Sequence, residues 1–198
     1  MYDVYFTSDL HFCHQRDFLY VPRGFESIEE HNETIVKNWN SVVRPQDYVY
    51  ILGDVMLNDD DTGIKLINRL NGAKYLIRGN HDTEDRLSRY YIETDLMSSY
   101  GDVYPWAAPV HIGKWSFYLS HYPVCFSDYR GAKQSRKWCL CGHSHTKNKW
   151  QNINTCCYHV ELDCHNNTPV SIDEIMTDLN WFKSLSPEKQ EEVINGNI

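Results

Sequence analysis

The chain has 198 residues, a formal net charge of −8 and a hydrophobic share of 41%, long enough for one domain with a sizeable core. That acidity argues against non-specific binding to long duplex nucleic acid, which depends on many Lys and Arg neutralising phosphates. No apolar run approaches the roughly 20 residues of a membrane helix.

Apolar runs rich in Val, Ile, Tyr and Phe alternate with stretches at helical spacing, the pattern of an α/β domain. The sequence predicts strands at 3–7, 48–52, 74–77, 110–112, 115–119, 138–140 and 158–162, with Gly113-Lys114 as a hairpin turn. Helices are predicted at 28–42, 61–70, 84–91 and 172–184. Two of them open on capping boxes, Ser27 with Glu30 and Ser171 with Glu174. Ser186-Pro187 marks the start of a last short helix. A single domain over 1–198 is expected, with its C-terminal helix and tail at about 171–198.

The first residues, "MYDVYF", lack the basic and apolar regions of a signal peptide, so export is not expected. Seven cysteines, at 13, 125, 139, 141, 156, 157 and 164, are odd in number and irregular in spacing, unlike a paired disulfide framework. A reducing, cytoplasmic setting is the expectation.

Five of the apolar runs end in residues with metal-binding or acid–base chemistry. "VYFTSDLH" supplies Asp9 and His11, "YVYILGD" supplies Asp54, and "YLIRGNHD" supplies Asn80 and His81. "FYLSH" supplies His121, and "WCLCGHSH" supplies His143 and His145. Each is unremarkable alone, because Asp after a strand is an ordinary turn or cap residue. Together they place one residue class beyond five strand ends, where ligands of open α/β sheets bind. The mixed nitrogen and oxygen set suits borderline divalent ions such as Mn, Fe, Ni or Zn and is too rich in His for Ca or Mg. It exceeds the needs of one tetrahedral ion, whereas two ions sharing a carboxylate would use all of it.

These motifs, D-x-H, G-D, G-N-H-D, a strand-final His and G-H-x-H in that order, resemble the calcineurin-like metallophosphoesterase superfamily. The resemblance runs from Asp9 to His145. It implies a two-sheet β-sandwich flanked by helices, in four αββα layers, and a dinuclear-metal phosphoesterase. By the same resemblance Asp9, His11 and His145 hold a first ion, Asn80, His121 and His143 a second, and Asp54 bridges them. Similar enzymes attack phosphorus in line with a metal-bridging hydroxide and use the His of G-N-H-D as the acid, here His81. The chain reads "GDVMLNDDD", with Leu57 and Asn58 where protein phosphatases of the superfamily carry an Asp-Arg pair. A phosphodiesterase, similar to the compact prokaryotic and viral members, is therefore expected over a protein phosphatase. In that group the first motif is often D-x-H-F-G-H; "DLHFCH" puts Cys13 in place of the Gly and keeps His14. The substitution counts against a positive φ at position 13. His14 is a candidate to touch substrate or tune the first ion, or else to bond only its own loop.

The segment from His14 to Phe25 is irregular and is expected to rim the site, with Arg23 a candidate phosphate contact or a solvated side chain. Arg130, Lys133, Arg136, Lys137, Lys147 and Lys149 make the surroundings of "CLCGHSHTK" basic. Tyr122, Phe126, Tyr129 and Trp138 are candidates for nucleobase stacking, or for ordinary packing. A local zinc knot is not expected from "CLCGHSH", because alternating Cys139 and Cys141 share one strand face and buried thiols commonly act as small hydrophobes. All seven cysteines are read as structural. The expected substrate is a phosphoester, of a nucleotide, a nucleic-acid end or a small metabolite. Two competing readings carry over: a non-catalytic metal-binding scaffold of the same fold, and a zinc-stabilised nucleic-acid module, which the charge disfavours.

Overall fold

The computed structural model describes residues 2–98, 103–124, 137–150 and 157–196. Among them the strands, in chain order, are β1 (Val4–Thr7), β2 (Tyr48–Leu52), β3 (Ala73–Ile77), β4 (Leu96–Met97), β5 (Ala107–Ile112), β6 (Trp115–Ser120), β7 (Lys137–Cys141), β8 (Cys157–His159) and β9 (Val170–Ser171). The first sheet has the order β4-β3-β2-β1-β9, parallel except where β9 pairs antiparallel with β1. The second has the order β5-β6-β7-β8, with β6, β7 and β8 parallel. The β5–β6 hairpin turns at Gly113, whose φ of 58° at the first central position follows the II′ pattern.

The helices are α1 (Asp17–Tyr20), α2 (Ile28–Val42), α3 (Asp60–Ile67), α4 (Glu84–Glu93), α5 (Ile172–Ser184) and α6 (Pro187–Ile194). Ser27 and Ser171 cap α2 and α5 by accepting from the amides of Glu30 and Glu174, each at 3.1 Å. Neither box closes as predicted. Glu30 accepts from the amide of Glu26 at 2.8 Å, and Glu174 is drawn to Lys149. The rim segment contains the short helix α1, which a four-residue span without apolar periodicity does not announce. The last predicted strand stops at His159, and a 3-10 turn, Leu162–Cys164, takes over.

Alternation along the strands divides the core. Val49, Ile51 and Leu76 join Ile35, Val36 and Trp39 of α2 and Ile64 and Ile67 of α3. Phe6, Leu52 and Ile77 point the other way and meet Phe117, Leu119, Trp138, Leu140 and Tyr158 of the second sheet, where Ile175, Leu179 and Phe182 of α5 also pack. Each such buried side chain contributes roughly 1.5–3 kcal/mol. The two sheets are thus fixed face to face, flanked by helices. Tyr118, Cys139, Cys141 and Cys157 lie on the opposite face of the second sheet from Phe117, Leu140 and Tyr158.

The same packing brings the strand ends together. The segment after β1 zips onto the segment after β2 through Asp9 N–H to Gly53 O, His11 N–H to Asp54 O and Phe12 N–H to Val55 O, all at 3.0 Å. Gly142 N–H donates to His121 O at 3.0 Å, joining the ends of β6 and β7.

Candidate metal centre

All seven expected metal-binding residues fall in these loops. Asp9, His11, Asp54 and His121 are 0–2% exposed. Asp9 Oδ1 lies 3.6 Å from both His11 Nε2 and His145 Nε2. Asp54 Oδ2 lies 3.6 Å from His11 Nε2 and 3.4 Å from His121 Nε2. His121 Nε2 in turn is 2.9 Å from Asn80 Oδ1 and 3.1 Å from His143 Nδ1. Two overlapping clusters result, Asp9–His11–His145 and Asp9–Asp54–His121, with the donor atoms in each within 4.8 Å of one another.

The backbone turns left-handed at several of these expected ligands. Asp9, His11, Asp54, His143 and His145 have φ of 58°, 48°, 57°, 73° and 47°, a region uncommon for residues other than Gly and entered mostly by Asn, Asp and His. Such outliers persist only when the surroundings over-determine them, and they gather at functional sites. Cys13 also takes a positive φ, 64°, contrary to the expectation from its side chain. Its amide donates to Asn32 Oδ1 at 3.1 Å, which helps hold the turn. Close approach explains two glycines. A Cβ on Gly53 would lie 2.6 Å from the Gly79 backbone, and one on Gly142 would collide with Ser8 and Asp9 side chains.

Hydrogen bonds set the ring orientations. His121 Nδ1 donates to Leu52 O at 2.8 Å, leaving Nε2 to face the cluster. His145 Nδ1 donates to Asp163 Oδ2 at 3.1 Å, turning its Nε2 toward Asp9. Burial alone would raise the carboxyls of Asp9 and Asp54, but the surrounding histidines outweigh it and hold both below the usual range. Burial alone would lower His121, but Asp54 and Asp9 raise it to about 9. Positive charge is favoured at the point where the two carboxylates meet. Asp9 Oδ1 and His11 Nε2 are buried without a hydrogen-bond partner. Orphaned donor atoms of a mixed N/O set, buried and convergent, fit divalent cations.

His81 stands at the edge, its side chain 41% exposed and its Nε2 3.9 Å from Asp54 Oδ2. Its amide donates to Asp54 Oδ1 at 2.9 Å, and its carbonyl accepts from Arg86 at 2.8 Å. His14 is 9% exposed, with Nδ1 3.3 Å from His11 Nδ1 and its ring edge-on to Phe18. Burial, with His11 and His81 beside it, lowers the His14 imidazole to about 4.

Arg23 is not a solvated rim residue. Its side chain is 1% exposed, and it donates to Asp163 through Nε at 3.0 Å and Nη2 at 2.6 Å. It also reaches Asp9 O at 2.9 Å and His31 Nε2 at 3.0 Å. With its donors so committed, the guanidinium braces the first ligand loop instead of facing solvent or a phosphate. Asp163 belongs to none of the sequence motifs, although "YHVELD" puts it after an apolar run much as the expected ligands are placed. Asp82, the last residue of G-N-H-D, has no role that the motif alone announces; it accepts from the amides of Asp54, Val55 and Gly79 at 2.9, 3.2 and 2.8 Å.

Trp138 is 3% exposed in the inter-sheet core and is excluded as a base-stacking surface. Tyr122 is 39% exposed and edge-on to His121 and His143. Lys149 is paired with Asp178 and Glu174. Phe126, Tyr129, Arg130, Lys133 and Arg136, with Cys125 and Cys156, lie outside the described residues.

Two sheets whose strand ends converge on an Asp/His/Asn cluster, buried at Asp9, His11, Asp54 and His121 and exposed at Asn80, His143 and His145, define a metal-dependent hydrolase of the metallophosphoesterase class. The sequence agrees over nearly its whole length: the model of the calcineurin-like phosphoesterase family matches residues 2–195, and the chain belongs to that family. It is 46% identical over 84 residues to an uncharacterised protein of Methanocaldococcus jannaschii, covering 41% of this chain and 48% of that protein. It is 30% identical over 172 residues to the Gene 66 protein of Mycobacterium phage D29, covering 74% of this chain and 80% of that one. The chain thus spans about half the length of the first of these relatives and most of the second. A solved protein of unknown function from Aquifex aeolicus shares the fold, with a TM-score of 0.62, 22% identity and coverage of 89% and 99% of the two chains. No helix among the described residues is long and apolar enough to cross a membrane.

Proposed function

We propose that this phosphoesterase hydrolyses a phosphodiester at a dinuclear centre. Asp9, His11 and His145 would hold one ion and Asn80, His121 and His143 the other, with Asp54 a ligand common to both. One observation carries the reading: Asp54 Oδ2 sits 3.6 Å from His11 Nε2 and 3.4 Å from His121 Nε2, a single oxygen shared between two nitrogen sets. When bound, two divalent ions of the Mn, Fe, Ni or Zn type supply Lewis-acid polarisation of the phosphoryl oxygens and a lowered pKa for the attacking water.

The chain's own residues do the rest. Leu52 O and Asp163 fix the rings of His121 and His145, so their Nε2 atoms are presented without reorganisation. The two bonds to its main chain hold His81 beside Asp54 with its ring open to solvent, where an imidazole can give a proton to the leaving oxygen. A diester carries one negative charge fewer than a monoester. That Arg23, the arginine touching Asp9 and His145, is turned to Asp163 supports a diester. Nucleotide diesters and nucleic-acid ends are the substrate classes to try first.

The test is hydrolysis of bis-p-nitrophenyl phosphate against p-nitrophenyl phosphate by metal-stripped protein, with Mn, Ni or Zn restored in turn. Metal-dependent turnover, greater on the diester, is expected; turnover greater on the monoester would replace the diester reading. No turnover by protein shown to hold two ions would favour a scaffold. His81→Asn should keep both ions and lose about 10²–10⁴-fold in turnover of an ester with a poor leaving group.

A further inference from the structure

Three cysteines converge away from the phosphoesterase centre. Cys139 and Cys141 alternate along β7, and Cys157 of β8 pairs in register with Cys139. All three are 0–1% exposed, and their sulfurs lie within 4.8 Å of one another. Strand pairing, invisible in the spacing of the cysteines, delivers the third sulfur to the face that the first two share. In "CLCGHSH" the thiols and the imidazoles therefore go to separate clusters.

We propose that Cys139, Cys141 and Cys157 form a second, independent metal site, for one thiophilic ion such as zinc(II). Three thiolates at about 2.3 Å from a common ion would have sulfurs about 3.8–4.0 Å apart. Sulfurs already within 4.8 Å reach that separation by rotamer adjustment of less than about 1 Å each, without moving the strands. Two of the ligands are on one strand and the third on its hydrogen-bonded neighbour, so the sheet holds the set in place.

The three thiols hydrogen-bond one another, and they also contact backbone carbonyls. Cys139 Sγ is 3.7 Å from Leu140 O and 4.0 Å from Tyr122 O, Cys141 Sγ is 3.8 Å from Tyr158 O, and Cys157 Sγ is 3.4 Å from Val124 O. S–H is a weak donor, and the contacts of Cys139 and Cys141 are the longer ones. On binding, each S–H that becomes a ligand loses its proton to solvent and forms a metal–sulfur bond, with no change of oxidation state. The carbonyls of Tyr122 and Val124 belong to the segment directly after His121, so an ion here would also fix the chain leaving that ligand.

The test uses the full chain, stripped of metal under reducing conditions and titrated with cobalt(II). A site with thiolates produces an intense near-ultraviolet sulfur-to-cobalt band, which nitrogen and oxygen ligands do not. Saturating cobalt is expected to produce the band, at an intensity of one thiolate-bound ion per chain, in the wild type and in Asp54→Ala. Cys157→Ala and Cys139→Ala are each expected to abolish it while far-ultraviolet circular dichroism is unchanged. No band in the wild type, or a band that survives Cys157→Ala, overturns the proposal. Should the alanine variants not fold, cadmium NMR of the wild type decides: a strongly downfield thiolate resonance is expected, and only nitrogen- and oxygen-ligated signals would overturn it. Neither readout depends on ester hydrolysis, so this site and the proposed function stand or fall separately.

Discussion

The two sides of the phosphoesterase centre are braced by different chemistry. On the side built by β2 and β3, the Asp82 carboxylate accepts the amides of Asp54, Val55 and Gly79 and takes a longer contact, 3.3 Å, from the Tyr90 hydroxyl. On the other side, Asp163 holds His145 and is itself gripped by the Arg23 guanidinium. Short loops following adjacent parallel strands present several amides to one point, so a single carboxylate can tie them. His145 follows β7 in the other sheet, and only long side chains span the gap back to the Asp9 loop. One brace is made of main-chain dipoles, the other of full charges. Their carboxyls respond in opposite senses: burial and the nearby Asp54 push Asp82 up, whereas His145 and Arg23 overcome burial and bring Asp163 down to about 2.

The largest effect comes from deleting the first brace. Asp82→Ala would leave three buried amides without acceptors, each costing about 1–3 kcal/mol, so a loss of about 3 kcal/mol or more is expected in urea denaturation. Asp82→Asn keeps one acceptor oxygen and should recover part of it. If Asp82→Ala lost under 1 kcal/mol (about one amide's worth), the amide brace would carry no weight. Breaking the second brace should touch affinity before stability. Asp163→Asn is expected to weaken metal binding about 10–100-fold on the His145 side alone, leaving the other step of a calorimetric titration unchanged. Equal weakening of both steps would mean that the two sides are one unit.

The difference between the braces also explains what the sequence could reveal. The proposed ligands lie within a few residues of an apolar run, so Asp9, His11, Asp54, Asn80, His121, His143 and His145 are visible as polar residues at strand ends. The long strands and helices carry clear periodicity and lie near their predicted bounds, except that α3 ends at Ile67 instead of residue 70 and β5 begins at Ala107 instead of residue 110. The edge strands β4 and β9, with two residues each, are too short to show any period. Arg23 and Asp163 are separated by 140 positions, and their pairing exists only after the sheets pack. A buried arginine and a surface arginine look alike in sequence; what distinguishes them here is Asp163 and His31 waiting in the fold.

The smallest expected effect gives the sharpest contrast, and it is read on metal-stripped protein. Asp163 has an ordinary value of 3.8 and a folded value of about 2. Between those values the unfolded chain binds the proton more readily, so its contribution is complete above the ordinary value and lost as pH falls through the folded one. The span corresponds to about 2 kcal/mol. Asp82 has the reverse sign, because its folded value is raised: there the folded state binds the proton more readily, and stability is lost as pH rises through that folded value. The stability gap between wild type and Asp163→Asn should therefore narrow from about pH 4 to pH 2, while the gap between wild type and Asp82→Asn widens as pH falls. Parallel slopes for the two variants would show that both carboxylates sit in the same kind of field, and the distinction between a dipolar and a charged brace would fail.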